Sequence, residues 1–478
     1  MSTELEVDGA TLRTWLHGTA DKLGTFVDDL PSQPASRLQG SRKLARSLMG
    51  PVPESGTPLR GLLSKVVDHI SPISLNTASG GYLGFIPGGG LPQSAMADLI
   101  TGVLNRYTGL WMPAPGLVQI EIEVIRWLCT ELGYSPASGG LLTSGGSMAN
   151  LSALVCARHL NLGDDFTDGV VFVSAQTHHS VDKAARIAGL RADQLCTVAV
   201  DDLFRVDVNA LREAIVSARA AGKRPFLVVA SAGSTATGAV DPLDELATLC
   251  AQEGLWLHVD GAYGGCFALT ERGRSALAGI DRADSITLDP HKGLFLPYGT
   301  GALLVRDRSH LRAVFSSSAN YMPPGSEDDD HWDFADLGPE LSRPARGLRL
   351  WLPIRMHGMG AFRRTLDEKL DLARLAFARL CALPHVESCS PPTLSLFTLQ
   401  VRPPGWPADD ENTLQKRILR NINQRGRVFL TGATVRIGDA SPFVIRVCVL
   451  GFRTHAAHID ALIEDFGDAI DAQTAGEA

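Results

Sequence analysis

The chain has 478 residues, a formal net charge of −8 and 20% charged residues with both signs interspersed, which argues against a nucleic acid or an anionic membrane as its partner. Hydrophobic residues make up 45%, a globular value that excludes a disordered or fibrous chain. At this length we expect one large domain with smaller appendages.

Cysteine usage and the N-terminal sequence both predict a cytoplasmic protein. The eight cysteines stand far apart without a CxxC pair, which favours reduced, mostly buried thiols over disulfides or a metal site. The opening MSTELEVDGATLRTWL lacks a basic n-region and an apolar h-region, and no apolar stretch is long enough to span a bilayer. We therefore expect neither secretion nor membrane insertion.

Residues 1–90 are predicted to form an arm that packs on another part of the assembly. Helical periodicity alternates there with Pro- and Gly-rich connections such as DLPSQPASRLQG and MGPVPESGTPLRG. An independent domain is the less favoured interpretation.

Residues 91–348 predict an α/β domain with a mostly parallel sheet. Short β-rich runs alternate with amphipathic helical stretches, which indicates strands joined by helices that cover both faces of the sheet. In such sheets, ligands bind outside the carboxyl ends of the strands. The β-rich runs are GGLLTSGG, GVVFVSA, LCTVAV, PFLVVASAGS, GLWLHVDGAYGG, DSITLDP and TGALLVR.

The sequence also predicts a lid within this α/β domain and a small domain at the C-terminus. The stretch 316–340, SSSANYMPPGSEDDDHWDFADLGPE, is too long and too acidic for a routine connection, so we expect a mobile loop. Residues 349–478 are predicted to be α+β: a long helical segment is followed by strand-like LSLFTLQV and FVIRVCVL and by the amphipathic HAAHIDALIEDF.

Two polar clusters that follow predicted strands have both a ligand-binding and a purely structural interpretation. TSGGSMAN, 143–150, offers free backbone N–H groups at a helix start, which suits a phosphate dianion, although such turns are more often plain connections. His178 and His179 begin the next helix, where an imidazole either stacks on a flat aromatic ligand or caps the helix.

Two further clusters contain a carboxylate and a lysine. Asp260 ends the apolar strand LWLHVDG, where it either holds a protonated ring nitrogen or caps the next turn. Lys292 follows ITLDPH at the end of another strand. A lysine whose stem passes through an apolar site has its ammonium form disfavoured and becomes an amine nucleophile able to form an imine. The alternative, a surface lysine, is weakened by the apolar and turn residues around it.

A phosphate cradle, a stacking imidazole, a carboxylate for a ring nitrogen and an imine-forming lysine are together what pyridoxal 5'-phosphate needs. Over nearly its whole length the sequence resembles the group II decarboxylases of fold-type I, which include aromatic-L-amino-acid, glutamate and cysteine-sulfinate decarboxylases. The motifs that carry this resemblance are GYLGFIP, TSGGSMANLSAL, THHSVDKAARIAG, GSTATGAVDPLDELATLC, LWLHVDGAYGG, DPHKGLFLPYGTGALLVRD, LSRPARGLRLW and IRVCVLGFRTHAAHIDAL.

The resemblance implies an aspartate-aminotransferase-like fold and a homodimer whose arm wraps over the neighbouring subunit, with the active site at the interface. It also implies decarboxylation of an L-amino acid to an amine and CO2 through a Schiff base on Lys292 and a quinonoid intermediate. The catalytic residues implied are Lys292, His178 and Asp260. The other residues implied to contact the cofactor are His291 near the phosphate, Ala262 against the ring, Thr235 at its edge, and Gly146, Ser147 and Met148 at the phosphate.

The chain departs from the family pattern at the phosphate site. Asp289 stands where relatives usually have Asn, and Gly293 where aromatic members have Trp. A carboxylate close to a phosphate is unfavourable unless it pairs with a cation, and we expect Arg343 or Arg346 to supply that cation.

The loop and the substrate pocket also depart from the pattern. Counting back from LRLW puts Phe334 where aromatic decarboxylases carry a tyrosine that protonates Cα. Unless Tyr321 substitutes, oxygen-dependent chemistry giving an aldehyde, ammonia and peroxide is the first alternative; a silent binding homologue and a transaminase or other lyase are further ones. Segments that line the pocket in relatives carry residues that are equally typical of core or turns, namely Phe85, Ile86, Gly88, Tyr107, Gly109 and Leu110.

Overall fold

A seven-stranded sheet lies at the centre of the computed structural model, which describes residues 5–316, 330–436 and 440–474. The strand order is β1-β7-β6-β5-β4-β2-β3, and only β7 runs antiparallel to its neighbours. The predicted α/β fold with a mostly parallel sheet is confirmed. The strands are β1 Gly139–Thr143, β2 Gly169–Ser174, β3 Leu195–Val198, β4 Arg224–Ser231, β5 Trp256–Gly261, β6 Ser285–Leu288 and β7 Gly301–Val305.

Helices connect these strands and pack on the sheet. Helix α6 crosses β4 to β7, while α8 and α9 pack against β3, β4 and β5. The helices are α1 Gly9–Asp29, α2 Ser41–Ser47, α3 Leu59–Ser64, α4 Pro92–Leu104, α5 Pro115–Glu131, α6 Gly146–Leu162, α7 His179–Ile187, α8 Val208–Ala220, α9 Leu243–Glu253, α10 Glu271–Ala276, α11 Pro290–Gly293, α12 Ser309–Phe315, α13 Gly347–His357, α14 Met359–Cys381, α15 Glu411–Arg425 and α16 Ala456–Thr474.

A second, four-stranded antiparallel sheet forms the C-terminal part of the described chain, in the order β10-β11-β9-β8. Helices α14, α15 and α16 pack with it around a separate hydrophobic core. The strands are β8 Val386–Ser390, β9 Leu396–Val401, β10 Thr431–Thr434 and β11 Phe443–Cys448. Strands β9 and β11 were predicted from their apolar runs, whereas β8 and β10 are half-exposed and lack that signal.

The N-terminal helices make few contacts within their own chain. Helices α1, α2 and α3 bury no side chain. The segment between them is anchored where Ala35 N donates to Gly426 O, at the end of α15. Large apolar side chains, including Trp15 and Leu23, are left exposed on α1. Within the described ranges, no helix has the length and apolarity needed to cross a membrane.

Residues 330–340 are packed, and Phe334 is part of the core. Its ring is 1% exposed, and the Arg343 guanidinium lies 4.5 Å from the ring centre. Phe334 therefore does not present its side chain to solvent as a residue of a mobile lid would. Tyr321 lies outside the described residues.

A buried ion pair supplies hydrogen-bond partners for backbone groups at the edge of the main sheet. Because β1 is an edge strand, the outward N–H and C=O groups of Leu142 have no neighbouring strand. Glu121 on α5 accepts from Leu142 N at 3.2 Å, and Arg343 donates to Leu142 O at 2.8 Å and to Glu121 at 2.5 Å. Arg346 pairs with Glu340. Neither arginine pairs with Asp289, so that expectation is wrong.

We predict that Glu121→Gln lowers the free energy of unfolding by about 3 kcal/mol, because it leaves the Arg343 charge buried without a counter-ion. Urea unfolding of the cofactor-free protein measures this. The matched control is Glu131→Gln on the same helix, whose ion pair with Arg363 is more exposed, and its loss is expected to stay below about 1 kcal/mol. Equal losses in the two variants would contradict the role of the buried pair.

Candidate active site

A cavity of about 270 Å³ opens at the carboxyl ends of β4, β5 and β6. The strand register places Asp260 beside Ser231 of β4 and Thr287 of β6, so these strands deliver their last residues to one edge. Every residue proposed for the cofactor lines this cavity: Gly146, Ser147, Met148, His178, Thr235, Asp260, Ala262, His291 and Lys292.

The turn from β1 into α6 forms one wall of the cavity. Gly301 on β7 approaches so closely that a Cβ there would lie 2.5 Å from the carbonyl carbon of Gly145. A Cβ on Gly146 would lie 3.1 Å from both Ala262 Cβ and Asp289 Oδ2. Gly301 therefore leaves no room for a side chain, and a Cβ at Gly146 would fit only if its neighbours shifted by a few tenths of an ångström. Met148 N donates to Gly145 O at 3.0 Å, so the first-turn N–H groups of α6 that are available to a ligand anion are those of Gly146 and Ser147.

Asp260 is buried and its carboxylate is held on both oxygens. Oδ1 accepts from Ala262 N at 3.1 Å, and Oδ2 accepts from the Asn150 side-chain amide at 2.9 Å. The same amide group donates to Ser180 Oγ at 3.0 Å. Asp260 therefore caps the turn, as one of the two interpretations predicts, and its side chain also lines the cavity.

Asn150 connects this carboxylate to a buried histidine. Its Oδ1 accepts from Thr287 Oγ1 at 2.6 Å and lies 3.1 Å from His258 Nε2. Burial lowers the pKa of His258 to about 4, so its imidazole is neutral at pH 7. Because the Asn150 Oδ1 atom can only accept, His258 carries its proton on Nε2 and donates it to Asn150, and its Nδ1 accepts from Ser285 Oγ.

His178, and not its neighbour His179, lines the cavity. It is the N-cap of α7, where Nδ1 accepts from Ser180 N at 3.3 Å. Burial lowers the pKa of His178; Asp260 opposes this shift, while His179 and Lys292 add to it. The imidazole is consequently neutral at pH 7 and presents an uncharged flat surface to the cavity.

Lys292 is paired with a carboxylate. Its Nζ lies 2.8 Å from Asp289 Oδ2, and the Lys292 side chain is 23% exposed. The Lys292 amine therefore contacts a carboxylate where we expected apolar surroundings. His291 donates its Nδ1 proton to Thr300 O at 2.7 Å, which leaves the other edge of its ring directed toward Gly145.

Sequence reasoning missed Asn150, Ser180, Tyr263 and Arg446. Asn150 lies one helical turn after Gly146, and this i, i+4 spacing on α6 was the available signal. Tyr263 lines the cavity and its hydroxyl accepts from Ser395 N of the C-terminal part. Arg446 is buried and donates to Phe85 O at 3.2 Å.

The six residues suggested for the substrate pocket separate into two groups, and none of them is among the described residues that line the cavity. A Cβ on Gly88 would meet His291 O at 2.2 Å, so the 85–88 segment lies against the Lys292 loop. In contrast, Tyr107 donates to Leu341 O, and Gly109 O accepts from Ala335 N. Ile86 and Leu110 are buried.

The residues of the cavity fit pyridoxal 5'-phosphate. The glycine-lined turn, tightly packed at Gly146, lies at the start of α6, where a phosphate would bind. Asp260 supplies an anion for a ring nitrogen, His178 a flat neutral surface, and Lys292 a primary amine. One feature opposes the phosphate: the buried Oδ1 of Asp289 has no hydrogen-bond partner among the described residues.

Comparison with known proteins agrees with this chemistry. Residues 52–401 match the family model described as the pyridoxal-dependent decarboxylase conserved domain. An aromatic-L-amino-acid decarboxylase of Bacillus atrophaeus is 35% identical over 456 residues, covering 95% of this chain and 94% of the relative. An L-2,4-diaminobutyrate decarboxylase of Rhizobium meliloti (strain 1021) is 33% identical, covering 82% of this chain and 79% of the relative.

A solved structure extends the similarity to the fold. The crystal structure of Rhodiola rosea 4-hydroxyphenylacetaldehyde synthase superposes with a TM-score of 0.88 at 25% identity, covering 98% of this chain and 99% of that one. Together with the matched family model and the 35% identical relative, this likeness establishes what kind of enzyme the cavity serves. The chain belongs to the pyridoxal-dependent decarboxylase family and is an amino-acid decarboxylase that uses pyridoxal 5'-phosphate.

Proposed function

We propose that this chain removes the α-carboxylate of an L-amino acid as CO2 and releases the corresponding amine, with Lys292, Asp260 and His178 as its central residues. One observation carries the proposal: these three side chains come from different strand ends yet line one cavity together with the α6 turn. Their chemistries are complementary, since an amine, an anion and a neutral ring serve different parts of one cofactor.

Each side chain has a separate task in this proposal. Nζ of Lys292 is the covalent attachment point of the cofactor. The bound cofactor supplies an electron sink for the pair released when the bond from Cα to the carboxylate breaks. Asp260 holds a proton on the ring nitrogen, because an adjacent anion favours the cationic form. His178, being neutral, covers the ring without repelling that positive charge.

The first substrate class to test is the aromatic L-amino acids. The Bacillus relative is named for them, and an aromatic group borders the Lys292 loop in this chain. Phe85 is 55% exposed and its ring stacks on Phe429, which also stacks on Tyr82 with ring centres 5.2 Å apart. Gly88, three residues after Phe85, packs on His291. Diaminobutyrate, after the Rhizobium relative, is the second class.

The aldehyde-forming reaction is the alternative, because the chain is similar to an aldehyde synthase over nearly its whole length. In that reaction one amino acid, one O2 and one water give an aldehyde, CO2, ammonia and hydrogen peroxide. Oxygen consumption therefore separates it from simple decarboxylation, in which a proton replaces the carboxylate at Cα.

We predict that the purified protein shows the absorbance band of a lysine-bound cofactor and releases CO2 and amine from an aromatic L-amino acid without consuming oxygen. Lys292→Ala is expected to lose both the band and the turnover, because it removes the attachment point. Lys183→Ala, an exposed lysine on α7, is the control and is expected to keep both. Aldehyde and peroxide as products would favour the alternative, and absence of a bound cofactor would refute both reactions.

We predict that Asn150→Ala weakens cofactor binding by about tenfold, because Asp260 and His258 each lose a buried hydrogen-bond partner. Equilibrium dialysis with pyridoxal 5'-phosphate measures the dissociation constant. The control is Asn161→Ala, an exposed asparagine on the same helix, for which no change is expected. Unchanged affinity in a folded Asn150→Ala protein would show that the amide does not position the carboxylate.

We further propose that the enzyme is a homodimer. The N-terminal helices bury no side chains of their own, and one face of α4 is apolar and exposed. Contiguous exposed apolar area of this kind marks an interface rather than a free surface. The exposed apolar residues of α4 are Met96, Leu99, Ile100, Val103 and Leu104.

We predict that wild-type protein sediments as a dimer and that the double substitution Leu99→Asp and Val103→Asp shifts it to monomer, because carboxylates are unfavourable in a buried apolar interface. Leu375→Asp, at an exposed apolar position on α14, is the control and should leave the dimer intact. A monomeric wild-type chain, or a dimer that tolerates both aspartates, would overturn this proposal.

A further inference from the structure

Asp289 is a buried anion located where the phosphate and the reactive lysine meet. Its side chain is 3% exposed, Oδ2 pairs with Lys292 Nζ at 2.8 Å, and Oδ1 has no hydrogen-bond partner among the described residues. His291 Nδ1 lies 3.7 Å from Oδ1, but that nitrogen already donates to Thr300 O. One oxygen of a buried carboxylate is thus left unsatisfied.

The same carboxylate borders the phosphate turn. A methyl group on Gly146 would lie 3.1 Å from Oδ2, and one on Gly145 would lie 4.0 Å from Oδ1. A phosphate at the start of α6 would therefore lie within a few ångströms of Asp289. Two anions at that separation repel strongly, since water is largely excluded from a buried site.

Few charges are available to offset this repulsion. Arg343 and Arg346 are committed to Glu121 and Glu340. Of the other groups that face the site, Asp260 is a second anion and His178 is neutral. Burial raises the pKa of the Cys266 thiol to about 12, so that the thiol is also uncharged. Lys292 is therefore the cation that partners Asp289 in the described site.

We propose that Asp289 is a positioning residue that holds Lys292 Nζ beside the phosphate turn in the cofactor-free enzyme and, by repelling the phosphate, weakens cofactor retention. The inference rests on the proposed roles of Lys292 and the α6 turn. When the cofactor binds, the ion pair between Lys292 and Asp289 is lost, and the Asp289 carboxylate faces the phosphate dianion. The enzyme consequently binds its cofactor less tightly than the rest of the cavity would allow, and releases it faster.

The direct test is Asp289→Asn, which keeps the shape of the side chain and removes its charge. We expect the dissociation constant of pyridoxal 5'-phosphate, measured by equilibrium dialysis, to fall about tenfold, with slower release of bound cofactor. Inorganic phosphate is expected to bind the cofactor-free variant about tenfold more tightly by calorimetry. The control is Asp371→Asn, which removes an exposed carboxylate paired with Arg272 and should change neither constant.

A second comparison separates the two effects of the carboxylate. In Lys292→Ala, Asp289 loses its cation, so inorganic phosphate should bind more weakly than to the wild type. The substitution Asp289→Asn should then tighten phosphate binding by a larger factor in the Lys292→Ala background than in the wild-type background. Equal effects in the two backgrounds would show that Lys292 does not screen the carboxylate.

Weaker or unchanged binding of both ligands to a folded Asp289→Asn protein would overturn the proposal, because it would mean that the carboxylate supports the phosphate or does not sense it. The phosphate measurement does not depend on chemistry at Lys292. If the decarboxylation proposal fails but phosphate binding still tightens in Asp289→Asn, the inference about Asp289 stands alone.

Discussion

Burial of the Asp260 carboxylate at the end of β5 is the constraint on which the rest of the site depends. An ionised carboxylate removed from water is unfavourable unless its oxygens are fully hydrogen-bonded. Asn150 meets this requirement from α6, and its own carbonyl is oriented by Thr287 and His258. Because α6 also begins at the glycine turn, the interaction that satisfies the carboxylate fixes the helix that is proposed to bind the phosphate.

The strands and the residues at their carboxyl ends could be predicted from the sequence because both are local signals. Buried parallel strands appear in the sequence as apolar runs, and the polar residue that ends each run lies at the edge of the sheet where ligands bind. Asp260 and Lys292 were found in this way. Asn150 was not, because it lies inside a helix and acts through partners on α7, β5 and β6.

The partner of a charged side chain could not be predicted from the sequence. Arg343 lies close in sequence to the predicted loop 316–340, yet the edge strand β1 needs its guanidinium to satisfy Leu142 O. Asp289 pairs instead with Lys292, three residues along the same turn. Phe334 was expected in the mobile loop because its position was found by counting residues back from LRLW. Such a count takes no account of packing, and the apolar side chain is buried in the core.

The insertion of β7 between β1 and β6 has a consequence for how the enzyme matures. The turn proposed for the phosphate begins at Thr143, and Thr143 pairs with Gly301. A ribosome-bound chain that ends before β7 therefore has β1 without its neighbour and α6 without the strand that fixes its start. Contacts between residues so far apart in sequence form slowly. The turn proposed for the phosphate accordingly lacks its neighbouring strand until β7 has been synthesised, so a shorter nascent fragment has this part of the site unformed.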